Sequence, residues 1–494
     1  MSKTTKRVLL ILAAVALLIT ILAWAGWQIL TRVIESRSPI VDDPKVEAVA
    51  GSGLAGYWEG TLNALGVQQL RIQVRVEKTA AADGKLKGSF TSPDQSPQAV
   101  PLTACDETAT TAHFAISVGS FKGTFNTDGS RLTGHWTQNA LPLPLLLKRQ
   151  SGPPKPPPRP QTPQPPYPYD VREITIENPA DGVTLAGTLT FPNVDSRTVP
   201  AVILICGSGP HDRDETLFGH KPFLVLADHL TRQGIAVFRY DKRGIGKSTG
   251  NYATATSADF ASDAAAVFAH LKTLPAIDPK RIGLCGHSEG STIAFMLASE
   301  NPDIAFVVSL AGVGVRMDTL LERQRADILK AMKQPQNPRL ETLNREAIAL
   351  AREQGDTPAA RAAAEKILAK MGLPKAAAKA QLAQLFSPWM LSILRYEPRP
   401  TLEKVKCPVL ALNGSKDTQV AADLNLPALR AGLEAGGGHP DITTTTLPGL
   451  NHLFQKCTTG APAEYAKIEE TLSPDALKII SDWIVAHESA VSAP

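Results

Sequence analysis

The rhythm of hydrophobic and polar positions changes several times along the chain. Residues 1–7 carry Lys3, Lys6 and Arg7, and residues 8–30 then run 23 positions without a charge. A run of that length spans a bilayer core as a helix, and basic residues before it favour an N-terminus inside with the remainder outside. Trp24 and Trp27 suit the outer interface. Ala23-Trp24-Ala25 also fits the small-x-small rule for a signal peptide cleaved after Ala25. Apolar sequence continues through Ile29-Leu30, however, so length favours an uncleaved anchor. Residues 1–30 are expected to be a membrane anchor or signal peptide and residues 31–52 a spacer. The rest of the chain then faces the periplasm or cell exterior, or is secreted if cleaved.

From residue 53 to 150 the pattern becomes short alternating runs. Leu70-Arg71-Ile72-Gln73-Val74-Arg75-Val76 alternates strictly, as does the run 112–118. Turn signals such as Asp83-Gly84 and Asp128-Gly129 separate them, which predicts a small all-β barrel. His113 and His135 fall on strand faces there. Residues 151–168 hold ten prolines in 18 positions, a composition that favours extended polyproline II and predicts a stiff linker.

Residues 169–490 alternate between strand-like and helix-like texture. Strands are expected at 173–177, 184–191, 201–206, 235–240, 281–285, 305–310, 408–413 and 443–447, and helices at 221–233 and 257–274. Opening strands followed by strand–helix alternation predict a mostly parallel, doubly wound α/β sheet, with its site at the carboxyl ends of the strands. A helix-rich insertion, about residues 313–400, interrupts the alternation. It sits where a cap would cover such a site. Trp389, Met390, Leu391, Ile393 and Leu394 within it are candidates for either core or pocket.

Composition narrows the function. Hydrophobic content of 43% with 20% charged residues describes globular material, and a net charge of +4 without an aromatic-interleaved basic patch gives no reason to expect nucleic acid. None of the five cysteines forms a C-x-x-C pair or a metal-ligand spacing. Neither a metal nor an organic cofactor is expected.

Chemistry concentrates at Gly286-His287-Ser288-Glu289-Gly290, a G-x-S-x-G stretch between a strand-like and a helix-like run. Such a turn exposes a serine hydroxyl above a sheet and aims a helix N-terminus at it. A serine needs a base, and the base an acid to orient it. Asp417 follows the strand 408–413 and His452 follows the strand 443–447, giving the order Ser288, Asp417, His452. Asp423 and Asp441 are the fallback acids. An oxyanion needs two N–H donors; by position these are Glu289 at the helix start and Ser208 in the loop after residues 201–206. Asp212, Arg213 and Asp214 are expected to order that loop.

Three segments together resemble the α/β-hydrolase superfamily, in the branch of bacterial esterases grouped with serine aminopeptidase-like hydrolases. They are Gly207-Ser-Gly-Pro-His-Asp-Arg-Asp214, Tyr240-Asp-Lys-Arg-Gly-Ile-Gly-Lys-Ser248 and Gly286-His-Ser-Glu-Gly290. The resemblance covers residues 170–490. It implies a Ser288–His452–Asp417 carboxylesterase acting on a small-molecule ester, and it departs at Cys206, where many relatives carry histidine. Gly56-Tyr-Trp-Glu-Gly60 and Gly134-His-Trp-Thr137 likewise resemble small lipocalin-like barrels. Two rival functions remain: an aminopeptidase or acyltransferase using the same triad, or a ligand-binding protein whose hydrolase domain is inactive.

Overall fold

The computed structural model describes residues 39–491, apart from 65–67, 80–83, 94–95, 139–140, 154–156, 195–197, 372–374 and 438–440. The expected anchor, residues 8–30, lies outside the described residues. Among those described, no helix is long and apolar enough to cross a membrane. The chain forms two compact units that divide between residues 156 and 157.

The first unit is one nine-stranded antiparallel sheet in the order β4-β3-β2-β1-β9-β8-β7-β6-β5. Its strands are β1 (Gly56–Ala64), β2 (Gln68–Lys78), β3 (Leu86–Ser92), β4 (Ser96–Pro101), β5 (Ala104–Glu107), β6 (Thr111–Ile116), β7 (Gly119–Phe125), β8 (Arg131–Gln138) and β9 (Leu141–Gln150). The first and last strands pair, as in an up-and-down barrel. Among the described residues no ladder joins β4 to β5. There the chain itself bridges the gap: Leu102 N–H donates to Gly88 O and Thr103 N–H to Ala115 O. The strict alternation of β2 places Ile72, Val74 and Val76 inside, and β6 does the same with Ala112, Phe114 and Ile116. The expected run to residue 118 stops at Ile116, because the next residues turn into β7 and leave Val118 exposed.

Aromatic side chains fill this interior. Trp58 is fully buried, and Phe90 stacks on Trp136 and Phe114 on Phe121, both at 4.9 Å. His113 and His135 lie on the outer face, half-buried and exposed respectively. Residues 41–52, expected as a spacer, instead pack along the sheet. Val41 bridges Thr61, Lys148 Nζ donates to Asp43 O and Val46 O, and buried Arg149 donates to Ala55 O and Gly129 O. Two buried cations on β9 need those carbonyls and so hold the segment in place.

The second unit carries an eight-stranded sheet in the order β10-β11-β13-β12-β14-β15-β16-β17. The eight expected runs each form one strand: β10 (Tyr169–Asn178), β11 (Val183–Pro192), β12 (Val199–Ile205), β13 (Ala236–Tyr240), β14 (Ile277–His287), β15 (Val307–Leu310), β16 (Val409–Gly414) and β17 (Ile442–Leu447). β10, β11 and β13 pair antiparallel, and from β13 onward the sheet is parallel. β12 is buried throughout. Its Ala201, Ile203 and Ile205 face one layer and its Val202 and Leu204 the other, which is why it reads as a continuous apolar run.

Helices cover both faces. α1 (Pro222–Arg232) places Phe223, Leu226 and Leu230 in one layer; α2 (Ser257–Leu271) and α3 (Glu289–Glu300) place Phe260, Val267, Ile293 and Leu297 in the other. Thr256 and Asp259 start α2 with a capping box. Among the described residues the insertion folds as six helices: α4 (Met317–Ala331), α5 (Pro338–Gln354), α6 (Pro358–Lys370), α7 (Lys375–Leu385), α8 (Pro388–Arg395) and α9 (Pro398–Leu402). Ala347 and Ala351 of α5 meet Ala360 and Ala364 of α6 in a small apolar core completed by Phe386 and Leu394. α10 (Ala422–Ala435) and α11 (Pro474–Val491) complete the unit.

The proline-rich stretch, expected as a stiff linker, is fastened by two of its side chains. Arg159 NH1 donates to Ile468 O, and Arg159 NH2 to Phe218 O and Ala466 O. Gln161 Nε2 donates to Leu472 O, and its Oε1 accepts the N–H groups of Thr471 and Leu472. An extended chain leaves its side chains free, and these two find loop backbone groups that lack other partners.

Candidate active site

β14 ends at His287, α3 begins at Glu289, and Ser288 between them adopts φ 54°, ψ −117°. A non-glycine residue held there is strained, and the strain lifts the hydroxyl out of the sheet. The flanking glycines are compulsory. A Cβ at Gly286 would lie 2.1 Å from Gly290 O, and one at Gly290 would lie 1.9 Å from Ile205 O. The Ser288 N–H is anchored on Leu310 O at 2.8 Å.

Asp417 follows β16, and His452 lies in the loop after β17. His452 Nδ1 donates to Asp417 Oδ2 at 2.8 Å. The other carboxylate oxygen accepts the N–H groups of Gln419 and Val420, both at 2.8 Å. Both side chains are buried. With Nδ1 donating, a neutral His452 ring keeps Nε2 as an acceptor. Ser288 and His452 line one cavity of about 530 Å³. The fallback acids are elsewhere: Asp423 pairs with Arg323 of α4 at 2.9 Å, and Asp441 faces His487 Nε2 at 2.5 Å.

The loop after β12 lies against the serine, so that a Cβ at Gly207 would come within 3.3 Å of Ser288 Cβ. Gly207 N–H is already committed to Glu215 Oε1 at 2.6 Å. Ser208 O accepts from His211 Nε2 at 2.8 Å, and burial lowers the His211 pKa. The Ser208 and Glu289 N–H groups make no hydrogen bond among the described residues, and both residues line the cavity. Asp212, Arg213 and Asp214 hold the loop. Arg213 grips Asp241 at 2.9 Å, Asp212 accepts the N–H groups of Asp214 and Thr216, and Asp214 pairs with Lys221 and Arg239.

Beneath the serine lies a buried charged network that sequence reasoning missed. His287 Nδ1 donates to Glu215 Oε1 and its Nε2 to the His452 carbonyl, each at 3.0 Å. Burial alone would push the His287 pKa down, but the Glu215 carboxylate and these hydrogen bonds raise it above the usual histidine value. Burial likewise opposes the Glu215 charge, and His287 overcomes it, so the Glu215 pKa lies below normal. The result is an imidazolium–carboxylate pair touching three loops at once: Gly207, the serine turn and the His452 loop. A second pair sits beside it. Lys242 Nζ donates to Gly207 O at 2.6 Å and lies 3.4 Å from Glu289 Oε2. Glu289 Oε1 accepts from Ser257 Oγ and from Trp389 Nε1 of α8, both at 2.6 Å. The signal in the sequence was the run Tyr240-Asp-Lys-Arg, whose three charges all turn inward on Arg213, Glu289 and Asp263.

The insertion roofs this cavity. Met317, Leu320, Leu321 and Gln324 of α4 and Trp389, Met390 and Ile393 of α8 line it, whereas Leu391 and Leu394 pack within the helical layer. Among the described residues, no group of three or more His, Cys, Asp or Glu could hold a metal ion.

Part of the second unit is similar to known proteins. Residues 222–455 match the family model described as serine aminopeptidase, S33. That match lies wholly within the second unit, which is similar to the α/β-hydrolase superfamily. Its curated relatives include esterase EstD of Thermotoga maritima, 30% identical over 156 residues, which are 32% of this chain and 35% of that protein. Thiohydrolase apmlB of Arthrinium phaeospermum is 36% identical over 131 residues, which are 26% of this chain and 39% of that one. The chain thus spans little more than a third of the length of these relatives. Among solved structures, Est1E from Butyrivibrio proteoclasticus with bound ferulic acid aligns over 64% of this chain and 99% of that one, at 16% identity and a TM-score of 0.39. The matched residues include Ser288 and His452, which line the roofed cavity.

Proposed function

We propose that the protein is a serine hydrolase that cleaves carboxylic esters through an acyl-enzyme. The observation that carries this reading is the 2.8 Å Asp417–His452 hydrogen bond, which prepares a base in the cavity that holds strained Ser288. Ser288 Oγ attacks the ester carbonyl while His452 Nε2 takes its proton. The Ser208 and Glu289 N–H groups receive the oxyanion. Gly207 cannot share that role, because its N–H is spent on Glu215. Collapse of the intermediate breaks the carbonyl–alkoxy bond, and the departing alcohol takes the proton from His452. Water then attacks the acyl group, His452 again accepts a proton, and the carboxylic acid leaves as Ser288 Oγ recovers its hydrogen. Asp417 stays ionised throughout and stabilises the imidazolium.

The names of the relatives, an esterase and a thiohydrolase, fit acyl transfer from oxygen or sulfur to water. An aminopeptidase would need a free carboxylate for the substrate ammonium. The two acidic residues lining the described cavity, Glu215 and Glu289, are both occupied by protein donors. An inactive domain beside a ligand-binding barrel also fits poorly, since the barrel interior is filled with aromatic rings.

The decisive experiment compares the protein with Ser288→Ala on p-nitrophenyl esters, alongside fluorophosphonate labelling. We expect labelling at Ser288 and a loss of turnover on the order of a millionfold in the variant. Ester cleavage that survives Ser288→Ala would refute the reading. We also propose that residues 1–30 anchor or export the chain, on the strength of its uncharged 23-residue run. Membrane retention of the full chain at alkaline pH, lost on deleting those residues, is the expected result.

A further inference from the structure

A second cavity of about 360 Å³ lies within the cap, among α4, α5, α6, α7 and α8. It shares Leu321, Gln324, Gln384 and Met390 with the cavity at Ser288. The two spaces therefore adjoin, with these four side chains as the neck between them. One face of α4 runs past both. Met317 and Leu320 belong to the first space, Leu321 and Gln324 to both, and Arg325, Ile328 and Leu329 to the second. At the helical rise, Met317 to Leu329 is a path of about 18 Å. A chain esterified at Ser288 has a mostly apolar wall to follow into the cap, interrupted by the amides of Gln324 and Gln384.

Arg325 makes this second space unusual. It is half-buried, and it makes no hydrogen bond or ion pair among the described residues. Around it, Arg323, Arg345, Arg352 and Arg361 each hold a carboxylate. Burial lowers the Arg325 pKa; Glu341 and Glu322 oppose that from a distance without touching the guanidinium. Those two glutamates, with Asp318 and Arg345, line an adjoining hollow beside α4, and Arg325 stands between the two spaces, lining both. A half-buried guanidinium without a protein partner is open to a ligand, and a carboxylate is the group that best matches its fork of donors.

We propose that the cap cavity is a substrate subsite for a long, mostly apolar chain that bears a carboxylate, which Arg325 receives. The preferred substrates are then esters of dicarboxylic or carboxyl-bearing fatty chains, with the ester carbonyl at Ser288 and the free carboxylate in the cap. This rests on the esterase reading above.

The test uses the full-length protein and matched p-nitrophenyl esters: acetate, decanoate, and the mono-esters of straight-chain dicarboxylic acids of rising length. For the best diacid length, we expect kcat/KM about tenfold or more above the neutral ester of equal length. Arg325→Gln should bring that ratio near one, and Arg325→Lys should keep part of it. Ile328→Trp, which fills the cavity, should lower the ratio of decanoate to acetate turnover by about tenfold. Melting curves establish that each variant is folded. A wild-type ratio of one or less at every length overturns the proposal, as does a ratio unmoved by Arg325→Gln. Serine-dependent cleavage of acetate with no gain for long or carboxylated chains would sink this inference alone. No serine-dependent cleavage of any ester would sink the esterase reading with it.

Discussion

Glu215 sits under the reacting centre at φ 51°, with no water-facing surface to speak of, and still carries its charge because His287 faces it. Its neutral isostere is instructive. In Glu215→Gln the His287 ring can revert to one proton and keep its bond to the His452 carbonyl, while the introduced side-chain amide satisfies the other nitrogen. What is lost is the ion pair. We expect kcat to fall with KM little changed, because the His452 loop and Gly207 lose a common anchor. The pH dependence has a defined sign. The folded-state pKa of His287 is raised, so its contribution to stability is full below the unfolded value of about 6.5 and fades as pH rises through the folded value. Glu215 is lowered, so its contribution is present above the ordinary carboxylate value and fades on acidification through its folded pKa. The melting-temperature gap between wild type and Glu215→Gln should therefore narrow as the solution becomes alkaline. A gap constant from neutral to strongly alkaline pH would contradict the imidazolium assignment. Lys242→Met is expected to be harsher, since Glu289 would keep a buried charge without its cation. Breaking such pairs costs about 3–5 kcal/mol, read as a large drop in thermal midpoint.

At the scale of elements, the strands and the serine turn were legible because their signals are local. β12 announces itself as an apolar run, and Gly286 and Gly290 are fixed by contacts a Cβ would violate. Gly290→Ala should abolish activity and impair folding, because the added carbon meets the Ile205 carbonyl. Asp417 and His452 were singled out by place, each just after a strand, and their side chains meet in a hydrogen bond. Glu215, Lys242 and the Glu289 side chain were not singled out, because what they do depends on which loops meet over the sheet. The cap was visible only as a helix-rich insertion. Its attachment rests on Trp389, whose indole N–H reaches from α8 to Glu289. Trp389→Phe retains an aromatic ring and deletes that donor. It should raise KM several-fold while costing about 1–2 kcal/mol of stability, measured by steady-state kinetics and denaturant unfolding.

At the scale of the whole molecule, the two-unit plan was readable and the seams were not. The spacer proved to be sheet-bound through Lys148 and Arg149. The proline stretch proved to be fastened to the hydrolase unit through Arg159 and Gln161. These are long-range contacts made by single polar side chains, which periodicity cannot register. Arg159→Ala would release three loop carbonyls, one of them that of Ala466, next to Tyr465, a residue of the cavity wall. The expected loss is about 2–3 kcal/mol, with a lower thermal midpoint of the hydrolase unit and an unchanged transition for the β unit. Of the six tryptophans in the chain, Trp24 and Trp27 lie in the uncharged run of residues 8–30, Trp58 and Trp136 in the β unit, and Trp483 on α11. Among the described tryptophans Trp389 alone lines the cavity that holds Ser288, its indole tied to Glu289 beside that serine. Under the proposed esterase reading, the protein carries its own fluorophore where acyl groups would arrive. Each acylation and deacylation should register as a change in emission, so a stopped-flow instrument can time the two half-reactions on natural, colourless esters.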